Sequence, residues 1–552
     1  MRRELLVVLF VVLGWIRPAA AAEPDAGDLL PARNIDTWID LSGSLRPAIV
    51  LCPDLPEYRK AAGAVAEAIE KLGARRPEVT CDPQKALPET HDVIALGNVN
   101  NNRLIARLYF NHYAMEDSLL PGPGGMTIRT VYDPYPWHGQ GDVVVLGVSQ
   151  ACDASQAAAR LIEKIAPGKT AAGIDYTLEI STASALTEGQ IETLDAEQTP
   201  SFHTFLSSAR RYLQTGREPY ARHAVATLRR IADRYAEDPR SDCDWPEETS
   251  SADILATWDA FEECPLMTHS ERRQFTGAML QFMRSLVRHV SGYSQVGTDD
   301  LVSWNHTTFP LMGLYFGSRY FHDYYGLDEA EKHLEKARAC MLAQARSWKP
   351  QEDADTYLTI TMGHTIDYCL AEWELDFFES GCMRQYADYV IGIGDSIGWP
   401  SGFGDSGIGR SPMLIPRAVP VAFWWYRDPG YLWVLEHVHG GAWANPFHRD
   451  VAAEEPDRHS GVCVFPLDSQ LYEFTRRRSF YDEPVAPPNA SVEAAFDKIA
   501  FRESWDAEAQ YLLLDGFSRG KHLHYDGNAI IELVDRGQRW LIDHDYLTRN
   551  TT

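Results

Sequence analysis

The apolar residues of this chain change their period twice, and that change divides it into three kinds of structure. Between about 46 and 180, short β-branched runs (AIVLC, VIALG, VVVLG) alternate with amphipathic stretches at 57–72, 101–113 and 155–165. Alternation of this kind predicts a small α/β layer domain. From about 195 to 480 the period is almost wholly helical, in segments such as SFHTFLSSARRYLQTG, PYARHAVATLRRIADRYAE and LDEAEKHLEKARACMLAQARSW. Thr268 and Glu271 carry the spacing of a capping box and mark one helix start. Helices of this length with short connections, in about five or six pairs, fold as antiparallel hairpins; with no repeat of fixed length they favour a closed α/α toroid over a solenoid. A Pro-rich hinge, EPVAPPNAS at 483–491, precedes a last segment, 495–552, in which FRESW, AQYLLLDGF, KHLHYDGNAIIELVD and QRWLIDHDY read as four strands. The expected fold class is therefore multidomain: an α/β layer, a toroid, and the start of an antiparallel sheet or sandwich domain. That sheet stops at 552 where more strands would ordinarily follow, so the chain reads as truncated.

Charge and the first residues narrow the function. The net charge of −27 opposes binding to nucleic acid or to an anionic membrane surface. Residues 1–22 join a basic start (Arg2, Arg3), an apolar run at 5–16 and a small-residue stretch, the pattern of a cleavable signal peptide. Twelve apolar residues are too few to cross about 30 Å of hydrocarbon, and no later stretch is longer, so the expectation is export to a periplasm or the medium. Nine cysteines without a CxxC indicate neither a disulfide framework nor a Cys-rich zinc module, although a single bridge such as Cys243 with Cys264 is allowed. An aromatic share of 11% suits flat, partly apolar ligands such as sugars, and Trp245, Trp258, Trp304, Trp399, Trp424 and Trp425 are candidates to line a cleft, each with packing as its default role. VIALGNVNNN and PGPGG read as plain connections, since neither has phosphate-loop spacing.

Three clusters carry chemistry-bearing residues. In SWNHTTF, Asn305 and His306 sit side by side before an apolar helix, where Asn by default is a cap; N-H-T is also a glycosylation sequon. In KPQEDADTYLTITMGH, Glu352, Asp353 and Asp355 surround Tyr357, and acidic residues there by default are solvated or favour the helix dipole. In HLHYDG, strand alternation places His522, His524 and Asp526 on one face, which packing seldom requires.

These clusters together resemble one family. FRESWDAEAQYLLLDG followed by HLHYDGNAIIELVDRGQRWLIDHDY is similar to the opening of the β-sheet domain in heparinase II/III-type polysaccharide lyases, and Asn305 and Tyr357, 52 positions apart, fit the Asn or Asn-His pair and the Tyr of their toroid. The resemblance extends over roughly 200–552. Residues 46–180 resemble, through PEYRKAAGAVAEAIEKLGARRPEV and VIALGN, the accessory α/β domain of some hexosaminidases and α-glucuronidases. The lyase resemblance implies β-elimination on an acidic, uronic-acid polysaccharide, of glycosaminoglycan or alginate type. Abstracting the C5 proton beside an ionised carboxylate builds negative charge, which Asn305 and His306 would stabilise. Tyr357 or His522 would be the base, and His522 alternatively the proton donor. Trp304, Trp399 and Arg410 are the expected substrate contacts. The resemblance also implies a structural zinc held by His524 and Asp543, although the DHDY ending departs from the family's Asp-x-Gly-Tyr. Two rival readings are a glycoside hydrolase using carboxylates among Asp253, Asp259, Asp299, Asp300 and Asp405, and a non-catalytic glycan-binding protein. Which polysaccharide is cut, endo or exo action and the oligomeric state are not legible in the sequence.

Overall fold

The computed structural model describes residues 30, 33, 35, 37–135, 137–166, 172–182, 200–290, 301–302, 305–404, 414–438, 443–477, 491–516, 522 and 528–543. The signal-like residues 1–22, residues 483–490 of the hinge, Trp304, Arg410, His524 and Asp526 lie outside them. No helix among the described residues is long and apolar enough to cross a membrane.

The first part holds a short pair, β1 (Trp38–Asp40) with β7 (Gly173–Asp175), and a six-stranded sheet. That sheet contains β2 (Ala48–Leu51), β3 (Glu78–Thr80), β4 (Asp92–Gly97), β5 (Met126–Val131), β6 (Val143–Gly147) and β8 (Leu178–Ser181), in the order β3-β2-β4-β6-β5-β8. β3, β2, β4 and β6 run parallel, and β5 and β8 are antiparallel additions at one edge. The period of two along each strand decides what covers each face. Val50, Ile94, Leu96, Val144 and Leu146 pack under the helices Pro56–Lys71 and Ala154–Lys164. Ile49, Leu51, Val93, Ala95, Val143 and Val145 face the other way and share one continuous core with the helical part. Polar ties reinforce that seam: Arg33 reaches Asp259 and Glu262, Arg129 donates to the Leu213 carbonyl, and Asn111 donates to the Ala371 carbonyl.

Helices then follow from Phe202–Thr215 to Pro429–His437, some packed on the next in the chain and others on the next but one, as Phe202–Thr215 packs on both Glu218–Glu237 and Ser251–Phe261. The capping box at Thr268 is present: its hydroxyl accepts the Glu271 N–H while the Glu271 carboxylate accepts the Thr268 N–H. The helix Asn305–Tyr325 is buried on every side, as its nearly uninterrupted apolar sequence requires, and touches the helices Ser251–Phe261, His269–His289, Asp328–Gln344 and Asp355–Glu372. Gly313 permits this approach, because a Cβ there would lie 2.3 Å from Ser251 Oγ.

Among the described residues the last sheet has five strands in the order β13-β12-β11-β10-β9, all antiparallel: β9 (Gly461–Pro466), β10 (Phe496–Arg502), β11 (Tyr511–Asp515), β12 (Ile530–Asp535) and β13 (Gln538–Ile542). β9 is a strand within the almost wholly helical stretch 195–480. GVCVFP alternates exposed Val462 and Val464 with buried Phe465, whose ring packs against Gly392. A bridge between Cys243 and Cys264 is corrected, since both are buried free thiols.

Two charge clusters fasten this sheet to the helices. Lys349 and Lys498, with fully buried side chains, share Asp353 at 2.7 and 2.9 Å; Lys349 also meets Asp497, and Lys498 meets Asp515 at 2.8 Å. Arg539 on β13 holds both Asp395 at 2.7 Å and Glu532 at 3.0 Å. Burial and the neighbouring Asp395 push the Glu532 carboxyl up to about 8.

Replacing Lys498 with Met is expected to lower stability in urea unfolding by about 3–5 kcal/mol, because it strands buried carboxylates without their cation. Glu532 binds a proton in the folded chain at pH values where the unfolded chain has lost it, so its contribution to stability falls as pH rises from about 4.5 through about 8. Melting temperatures measured across that window are expected to decline less steeply in Glu532→Gln than in the parent.

Candidate active site

The helix Asp355–Glu372 starts immediately after the loop that Lys349 and Lys498 pin, and that loop carries Glu352. Glu352 is fully buried and gathers three elements. Its Oε1 accepts the backbone N–H of Asn305 at 3.0 Å and lies 3.0 Å from His522 Nδ1. Its Oε2 accepts the Thr361 hydroxyl at 2.7 Å. Burial pushes the Glu352 carboxyl above its ordinary range, with the hydrogen bonds from His522, Asn305 and Thr361 acting in the opposite direction.

His522 in turn stacks on Tyr357, with ring centroids 4.0 Å apart and planes 16° from parallel. The backbone of His522 is left-handed, φ 58°, a conformation that costs an L-residue roughly 1–2 kcal/mol. Gly404 completes the approach: at φ 69° a Cβ would lie 2.4 Å from the Asp353 carbonyl oxygen and 2.7 Å from that of His522. Any side chain at this position would push the loop and His522 apart. A carboxylate on Nδ1 fixes the ring's orientation and directs Nε2 away from Glu352, as proton-transferring imidazoles require.

Of the residues expected from sequence, Asn305, Tyr357 and His522 therefore meet around one carboxylate. Asn305 is not a cap: it lies inside the first turn of its helix, and its Oδ1 is buried with no hydrogen-bond partner among the described residues. The ring of His306 lies against Trp245, centroids 4.8 Å apart. Trp245 is half exposed and presents an aromatic surface beside the Asn-His pair. Trp399 is exposed, in a turn held by Asp395, which accepts its N–H at 2.9 Å. Trp304 and Arg410 lie outside the described residues.

Two expectations change. Glu352, Asp353 and Asp355 are not a solvated helix start; all three are buried, because the lysines and the His522 contact take the place of water. His522 does not sit on a strand with His524 and Asp526: it lies in a turn, and β12 begins only at Ile530. Of the implied zinc ligands only Asp543, just past β13, is described, and no three His, Cys, Asp or Glu side chains among the described residues come together as a metal site. The hydrolase candidates are not poised as a pair either: Asp253 is bound by Arg210 at 2.6 Å, and Asp259 is buried with Arg33 and Tyr113. Asp299, Asp300 and Asp405 lie outside the described residues.

Sequence reading passed over Thr361 and His364. Both follow Tyr357 at helical spacing, four and seven positions on, which puts the three on one face. His364 Nδ1 lies 2.8 Å from the Thr308 hydroxyl, and that hydroxyl donates to the Asn305 carbonyl at 3.1 Å. Burial, and then the charge of Arg417, lower His364 to about 3, so it stays neutral and positions the Asn305 turn.

No protein-family profile matches this sequence, and no curated protein matches it. Among solved structures, it is similar to a heparinase III gene product (12% identity over 61% of this chain and 49% of that one, TM-score 0.37). It is likewise similar to a heparan sulfate lyase from Pedobacter heparinus (14% identity, 61% and 47%, TM-score 0.37) and to a further heparinase III (11% identity, 65% and 52%, TM-score 0.40). The chain spans about half the length of these structures. Likenesses at this level decide neither fold nor activity, which have to be argued from the site itself.

Replacing Glu352 with Leu strands the Asn305 N–H, the Thr361 hydroxyl and the His522 ring together. A loss of about 3 kcal/mol or more is expected by chemical denaturation, and a smaller one for Glu352→Gln, which keeps an acceptor.

Proposed function

We propose that this protein is an exported polysaccharide lyase that cleaves a uronic-acid polysaccharide by β-elimination. The supporting observation is the arrangement around Glu352: a His stacked on a Tyr, and the buried amide oxygen of Asn305 without a hydrogen-bond partner among the described residues. A buried polar atom without a partner is costly, and a ligand group that satisfies it recovers that cost. Elimination needs such groups. Asn305 through its Nδ2–H and His306 through its ring donate to the carboxylate of the sugar and take up the charge that builds as the C5 proton leaves, while Asn305 Oδ1 accepts from a sugar hydroxyl. Tyr357 accepts that proton, and His522, oriented by Glu352, hands one to the departing oxygen at C4 or serves as the base for the opposite epimer. The C5–H electrons form the C4–C5 double bond as the C4–O bond breaks, so no water is consumed.

The same reading places the helices between 202 and 437 in an α/α toroid and the five-stranded sheet in a sandwich-type domain, with the α/β layer as an accessory unit. Trp304 and Arg410 join it as substrate contacts. His524 and Asp543 are its zinc ligands by motif alone, and no step passes through a metal. Export rests on the signal-like residues 1–22. The net charge of −27 favours a lightly sulfated or unsulfated uronate chain over a densely sulfated one.

Incubation with a panel of uronic-acid polysaccharides is expected to raise the ultraviolet absorbance of an unsaturated uronate, and Tyr357→Phe to lower kcat by about 10²- to 10⁴-fold. New reducing ends without that absorbance, undiminished in Tyr357→Phe, would overturn elimination.

A further inference from the structure

A second cavity, of about 190 Å³, lies where the α/β layer meets the helices, lined by residues none of which belongs to the Glu352 cluster. One wall is the loop after β3, with Leu87 and Pro88; the other is the helix Arg103–Phe110 together with Trp137 and Trp373. Arg107 lies over the Trp137 ring at 4.6 Å and near that of Trp373 at 5.8 Å, and Arg103 lies over Trp373 at 5.4 Å. Among the described residues neither arginine forms an ion pair or a side-chain hydrogen bond, and the buried Nε of Arg107 has no hydrogen-bond partner. Two carboxylates lie near enough to act on Arg107: Glu89, which forms no ion pair with it among the described residues, and Glu372, which Arg338 and the Tyr135 hydroxyl already hold at 3.0 and 2.6 Å.

Trp373 is set there deliberately. It ends the helix Asp355–Glu372 in a left-handed conformation, φ 66°, a position that normally belongs to glycine. A bulky aromatic residue accepts that strain when the site it builds repays it. Two guanidiniums without carboxylate partners, set among indoles, prolines and leucines, are chemistry for an anion carried on a ring with an apolar face. The space equals that of about six waters, enough for one sugar ring and too little for a chain.

We infer that this cavity binds one uronate-bearing sugar residue, its carboxylate on Arg107 and Arg103 and its ring against Trp137 and Trp373. The identity of the ligand rests on the elimination proposed above: the unsaturated uronate such a reaction releases has lost the C4 oxygen and is flattened by its double bond, which suits the apolar wall. The site would thus hold the product away from where it is made.

Calorimetric titration of the full chain with an unsaturated uronate disaccharide is expected to show saturable binding. Arg107→Gln is expected to weaken it at least about tenfold, Arg103→Gln less, and Tyr357→Phe not at all. A neutral disaccharide is expected not to bind. Arg103 is exposed, so its variant decides the matter if Arg107→Gln does not fold. Binding unchanged in the arginine variants, or equal binding of the neutral sugar, would overturn the inference. If no polysaccharide is eliminated but arginine-dependent uronate binding is found, the lyase reading falls and the cavity assignment stands. Elimination without such binding removes the cavity assignment alone.

Discussion

Two lysines taken wholly out of water, Lys349 and Lys498, organise the candidate active site. A buried ammonium is tolerated only when carboxylates surround it, and here Asp353, Asp497 and Asp515 do so from a helix-connecting loop and from two adjacent strands. Coulomb attraction in a low-dielectric interior thus draws together segments about 150 residues apart in the chain. Glu352 precedes Asp353 and Tyr357 follows it by four positions, so the same attraction that pins the loop sets both functional side chains against His522. Gly404 marks how close that approach is.

A second constraint acts from the other side. The helix Asn305–Tyr325 has neighbours all round it, so its first turn cannot shift without disturbing the packing of Ser251–Phe261 and Asp355–Glu372. Asn305 and His306 are carried on a rigid element, and the Glu352 carboxylate ties that turn to the loop and to His522. The α/β layer braces the same helices through a shared core, with Arg319 of the buried helix stacked 4.1 Å over Tyr135 of the layer.

Much of this was legible in the chain. The α/β alternation, the helical stretch and the terminal strands at 496–542 all follow from apolar period, and the capping box at Thr268 from four residues. Asn305, Tyr357 and His522 stood out because Asn-His, Tyr among carboxylates and His-x-His are uncommon at the places where core residues are expected. What was misjudged was solvent. Glu352, Asp353 and Asp355 look like an exposed acidic helix start until the lysines from elsewhere are seen to meet them. β9 escaped notice for a related reason: GVCVFP is too short to outweigh the helices around it, and only pairing with β10 makes it a strand.

Local sequence determined the elements, their order and the residue types able to do proton chemistry, because period, caps and side-chain chemistry act over a few residues. Tertiary structure alone decided which of those residues meet and in what state. Burial strips the water from Glu352 and raises its carboxyl, a left-handed turn rather than a strand presents His522 to Tyr357, and Trp373 is swung over a cavity by a helix end. These are contacts between segments distant in the chain, and their energy comes from removing charge and aromatic surface from water together, which no local pattern records.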